Sequence, residues 1–183
     1  MRVNKFPRKI KIIIDMRKAN RLVFISLVPV ILVYSLPYIG IYGFDNYIKG
    51  LEDTWNILLL VYLAAGILLH EGLHGLAMGL AAPGKFKSIS FGFKWFAFYT
   101  HCSEPVKKIF FQIGVLLPWI VTGLAPFIYS LINGSAMILL LSIVFTWGAA
   151  GDFLVWWETL QLKGKGRILD HPTEIGFYYY PKS

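Results

Sequence analysis

A chain of 183 residues that is 56% hydrophobic and only 15% charged lies far from a soluble domain, where about a quarter of residues are charged. That balance excludes an ordinary water-soluble globule and makes lipid the main solvent. The net charge of +8 would suit nucleic acid or an anionic membrane surface. The basic residues flank long apolar runs, which excludes the nucleic acid and favours the bilayer.

In chain order, residues 1–21 form a basic N-terminal segment holding eight Lys and Arg residues. Within it Arg8–Asp15 mixes basic and aliphatic positions and is expected to lie on the membrane surface. Residues 22–160 form the transmembrane domain. Its apolar stretches run over Leu22–Gly43, Trp55–Ala82, Ile109–Ile132 and Gly134–Leu160, each near the roughly 20 residues a spanning helix needs. The first is read as a mature span: it outruns a signal-peptide core, lacks a small-x-small cleavage site and contains Pro29 and Pro37.

The loop at 83–108 is the one long connection. Ile89, Phe91, Phe93 and Trp95 alternate there with Ser88, Ser90, Gly92 and Lys94, the period of a strand with one apolar face. A second short strand at Ala97–Thr100 would complete a hairpin. Residues 161–183 form the tail, expected to be mostly irregular because of Gly164, Gly166 and Pro172, with Tyr178–Tyr180 at the interface. The expected fold is therefore an all-α integral membrane protein of four transmembrane helices, with a short β-hairpin between the second and third.

Charge sets the expected orientation. Seventeen of the 18 Lys and Arg residues fall in the N-terminal segment, the 83–108 loop and the tail, which four spans place on one side. The positive-inside rule makes that side, and both termini, cytoplasmic in a multi-pass plasma-membrane protein. The single Cys102 lies on the same side and reads as an ordinary reduced thiol.

The second span carries His70-Glu71-Gly72-Leu73-His74. Positions i and i+4 share a helix face, so both imidazoles can reach one ion. Imidazole suits zinc, and a carboxylate beside it can act as general base on water. Apart from residues at the span ends, the only ionisable groups within the spans are His70, Glu71, His74 and Asp152. Such groups are costly in lipid and usually functional. Counted from Trp55 and Gly134, the two His and Asp152 arrive at similar depth at 1.5 Å per residue. Asp152 is thus the expected third ligand of one Zn2+ per chain, with Glu158 a competitor nearly two turns further on. Gly72, Gly75 and Gly79 would let a neighbouring helix approach closely.

The HExxH helix, the Gly-containing strand after it, Glu104-Pro105, Pro118, Gly151-Asp152 and Asp170-His171-Pro172 resemble a family of membrane zincin peptidases catalogued as a domain of unknown function. The resemblance covers roughly residues 65–177. A more distant likeness is to site-2-type intramembrane proteases, which combine HExxH with an Asp ligand on a later span. It implies zinc and cleavage near a membrane-embedded segment. The chain departs from that pattern in having Phe153 after the Asp and no Asn-x-x-Pro element in the third span.

These readings make the protein a zinc metalloendopeptidase acting near the cytoplasmic face, with Glu71 as catalytic base. His101, beyond the strand region, is a candidate oxyanion donor or an exposed loop histidine. His171 reads as part of a turn before the tail docks. Ile89, Phe91 and Phe93 mark a candidate edge strand that would bind an unwound polypeptide substrate, membrane-embedded or membrane-proximal, by β-addition. The alternative, from a different class, is a non-catalytic membrane protein that uses the same His/Glu/Asp cluster as a structural metal or packing site and serves as accessory to a membrane complex.

Overall fold

The computed structural model describes residues 9–94 and 97–182. In chain order, β1 (Ile10–Ile13) leads into α1 (Met16–Tyr42), α2 (Phe44–Thr54) and α3 (Ile57–Ala81). A short 3-10 turn precedes β2 (Ile89–Lys94) and β3 (Ala97–Cys102), followed by β4 (Val106–Lys107) and α4 (Lys108–Trp119). A π-helical turn at Ile120–Leu124 joins α4 to α5 (Ala125–Asn133). The chain ends with α6 (Ala136–Gly148), α7 (Ala150–Leu160), β5 (Gly166–Asp170) and β6 (Gly176–Pro181).

Among the described residues, three helical stretches are long and apolar enough to cross a membrane: Ala19–Tyr42, Ile57–Ala81 and Lys108–Asn133. Large apolar side chains stand exposed along them, Phe24, Leu36, Leu60 and Leu80 among others, as lipid-facing surfaces require. These helices mark the chain as a membrane protein. The stretch expected as a fourth span is a pair of helices, α6 and α7, bent by 46° at Ala149. It counts as one more span only if the bent pair crosses as a unit.

The chain groups into two units, and α1, α3, α4 and the α6–α7 pair pass from one to the other. The first takes the described residues within Met1–Ala19, Glu71–Leu117 and Asp152–Ser183. Its antiparallel sheet has the order β1-β6-β5-β4, with Ile10, Tyr179, Ile168 and Val106 in register. Side chains alternate across such a sheet. Ile168, Phe177, Tyr179 and Val106 are buried against Met78, Phe111 and Val115, while Lys11, Arg167 and Tyr178 take the other face. A second, two-stranded sheet pairs β2 with β3, Phe91 opposite Thr100 and Ile89 opposite Cys102.

The second unit takes Asn20–His70 and Pro118–Gly151. Tyr34, Tyr38, Leu139 and Ile143 form its core. Tyr34 hydroxyl lies 2.7 Å from Thr146 Oγ1, which satisfies both polar groups inside lipid. Gly134, at φ 73°, closes α5 in the left-handed conformation that glycine adopts without strain, and Ser135 caps α6 by accepting from Ile138 N–H.

The expectation of an all-α chain is therefore corrected. The tail is not mostly irregular: it supplies β5 and β6, and Tyr179 is buried in the sheet instead of sitting in the interface. Ile10–Ile13 is a strand of that sheet. Four residues are too few to display a period, and β1 pairs with a strand more than 160 residues away, so no local signal announces it. The connection after α1 holds a short helix, α2.

Candidate metal centre

One turn of α3 carries the ligand types. His70, Glu71 and His74 each offer a ligand atom, and these atoms all lie within 4.8 Å of one another. Helical spacing alone explains the grouping, because residues i and i+4 stand one above the other. What orients each imidazole comes from outside α3.

His74 Nδ1 lies 2.9 Å from the carbonyl oxygen of Gly114. A carbonyl only accepts, so Nδ1 carries a proton and donates it. Nε2 faces Asp152 Oδ1 at 3.5 Å. His70 Nδ1 lies 3.4 Å from Thr122 Oγ1, whose own proton is donated to Pro118 O at 2.8 Å. Thr122 therefore accepts from His70, so His70 too carries a proton on Nδ1. A histidine that binds metal through one nitrogen while donating from the other is the usual arrangement at zinc sites. The donor set, two imidazoles that donate from Nδ1 and carboxylates beside them, fits a zinc ion.

Glu71 is held from β3. Thr100 Oγ1 is 2.8 Å from the Glu71 carbonyl and 2.9 Å from Glu71 Oε2, so the two oxygens share its single proton. Glu71, His74 and Asp152 share a cavity of about 190 Å³ with Thr100, Cys102 and Asp170. Asp152, not Glu158, lines it.

Asp170, at the end of β5, is the cavity's third carboxyl. Burial raises its pKa from 3.8 to about 7, against the opposing pull of the Cys102 N–H and of His74. His101 does not line the cavity; its Nδ1 lies 3.8 Å from Asp170 Oδ2. Burial, and behind it the neighbouring His171, lowers the His101 pKa, so its imidazole is neutral at pH 7. His171 organises the turn between β5 and β6. Its Nδ1 faces the backbone N–H groups of Thr173 and Glu174 at 3.4 and 3.1 Å, and its Nε2 meets the Tyr178 hydroxyl at 3.0 Å.

Two glycines of α3 serve the loop and not a neighbouring helix. A Cβ at Gly75 would come 2.6 Å from the Phe91 ring, and one at Gly79 would come 2.5 Å from Phe86. Ile89 and Phe91 therefore lie against the helix turn that follows His74. Glu104, from the Glu104-Pro105 pair, accepts the Gly84 N–H and ties the loop together.

Sequence reasoning passed over Thr100, Gly114 and Asp170 as site residues. Thr100 emerges only once the register of β2 against β3 is known. Asp170 emerges only once β5 is docked. Gly114 had a readable signal: a proline four residues later in an apolar helix means one carbonyl without its usual donor.

Searches among curated proteins and among solved structures each returned no match. A family model does match, over residues 63–165, which is more than half of the chain and includes the HExxH turn, the paired strands and Asp152. The chain belongs to the family described as "Putative zincin peptidase".

Proposed function

We propose that the protein is a zinc-dependent metalloendopeptidase of the HExxH type, cleaving polypeptides in or beside the membrane near its cytoplasmic face. The observation that carries the reading is the shared cavity: Glu71, His74 and Asp152 converge there, with His74 Nε2 3.5 Å from Asp152 Oδ1. His70, His74 and Asp152 would hold one zinc ion. When bound, zinc supplies Lewis-acid activation of water and of the scissile carbonyl.

The chain's own residues do the rest. Thr100 occupies Glu71 Oε2, so Oε1 is the oxygen left to take a proton from the attacking water. As the C–N bond breaks, Glu71 returns that proton to the leaving amine. Met78, Phe111 and Val115 form an apolar wall of the cavity. β2 pairs with β3 alone among the described residues, so its other edge is available to an extended substrate. Ile89 and Phe91 face α3, and the strand would recognise backbone more than side chains.

The test is zinc content of the detergent-purified chain beside hydrolysis of a single-span peptide followed by mass spectrometry. About one zinc per chain in wild type and Glu71→Gln, with cleavage by wild type only, supports the reading. Wild type without zinc sinks the metal centre, and an active Glu71→Gln protein sinks the role of the base.

A further inference from the structure

In a regular α-helix the Gly114 carbonyl would accept from the N–H of residue 118. Residue 118 is proline, which has no N–H. The carbonyl it leaves without that donor is the one His74 Nδ1 meets at 2.9 Å. Pro118 itself is fully buried. A Cβ at residue 114 would come 2.7 Å from Met78 Cε and 3.4 Å from Ala77 Cβ, so the α4 backbone runs close to α3 where the ring reaches it.

A carbonyl with its helical partner in place can still accept a second hydrogen bond, but the two donors compete for one oxygen. Removing the competitor dedicates Gly114 O to the imidazole. It also settles which ring nitrogen carries the proton. We infer that Pro118 is a positioning residue for His74: by withholding its N–H it reserves the Gly114 carbonyl for Nδ1–H and so presents the Nε2 lone pair to the metal. The inference rests on the metal-centre reading above. Pro118 touches neither substrate nor ion; it acts through Gly114 and His74.

The Pro118→Ala variant restores the missing N–H in a helix interior, where alanine is the better helix former. The experiment uses the full chain in detergent, labelled with 15N-histidine, with the His74 signals assigned from a His74→Gln sample. Zinc affinity is measured by competition with a chelator. The expected result is a loss of about tenfold or more in Pro118→Ala, the range for residues that orient a ligand. The thermal midpoint should not fall. In wild type the His74 signals should show Nδ1 protonated, and that proton should exchange with water faster in Pro118→Ala.

Wild-type zinc affinity in Pro118→Ala, within about twofold, overturns the inference while leaving the metal centre standing. Absence of zinc binding by wild type overturns both. If Pro118→Ala does not fold, the wild-type spectrum decides: a bare Nδ1 on His74 overturns the inference, and a proton on Nδ1 supports it.

Discussion

Thr100 Oγ1 lies 2.9 Å from Glu71 Oε2, and the same hydroxyl reaches the Glu71 backbone carbonyl at 2.8 Å. A residue of the paired strands thereby fixes both ends of the residue proposed as the base. Hydrogen bonds to charged groups are worth about 1.5–3 kcal/mol, and each 1.4 kcal/mol on a barrier is about tenfold in rate. Thr100→Val keeps the shape and removes the donor. Its peptide hydrolysis should fall by roughly tenfold or more with zinc content unchanged, and Thr100→Ser should stay near wild type. Equal rates for the valine variant and wild type would remove Thr100 from the machinery.

Cys102 lines the cavity yet is 2% exposed, and its thiol donates to Glu104 O at 3.3 Å. Burial raises its pKa, so little thiolate forms near neutrality. N-ethylmaleimide at pH 7 should therefore leave the folded chain unmodified and label it after denaturation, read by mass. Rapid labelling of the folded chain would show that the strand end carrying Cys102 opens.

What was legible in the sequence is what repeats locally. The HExxH spacing follows from one helix, and the lengths of α1 and α3 follow from runs of apolar residues. The alternation of Ile89, Phe91 and Phe93 falls on β2. The sheet β1-β6-β5-β4 was not legible, because its register joins Ile10 to Tyr179 and Val106 to Ile168 across most of the chain. The same distance in sequence hid Asp170, which reaches the cavity only because β5 is docked. His101, singled out for its place after the strand region, meets Asp170 at 3.8 Å and does not line the cavity, since neighbouring strand residues point to opposite faces.

Asp152 and Glu158 are the two acids of the α6–α7 segment, and the structure separates them. Asp152 Oδ1 is 3.5 Å from His74 Nε2 and lines the cavity, whereas Glu158 does not line it. Asp152→Asn should weaken zinc binding by at least about tenfold, since it keeps the shape but removes the ligand charge. Glu158→Gln should bind zinc as wild type does. The reverse pattern, measured by chelator competition, would move the third ligand to Glu158.

Asp170 couples the tail to pH. Its pKa rises from 3.8 to about 7 in the fold, chiefly through burial, so the folded chain binds a proton more tightly than the unfolded one. The stability this contributes is fully present below about pH 3.8, declines above it and is lost as the pH rises through about 7. Asp170→Asn imitates the protonated carboxyl at every pH. In chelator-treated protein, the thermal midpoint of wild type should therefore drop between pH 5 and pH 8 by more than that of Asp170→Asn. The variant should be the more stable of the two at pH 8, where the wild-type carboxylate is charged and poorly solvated. Parallel pH profiles for the two proteins would mean that Asp170 stays ionised in the fold, with the N–H of Cys102 and His74 outweighing its burial.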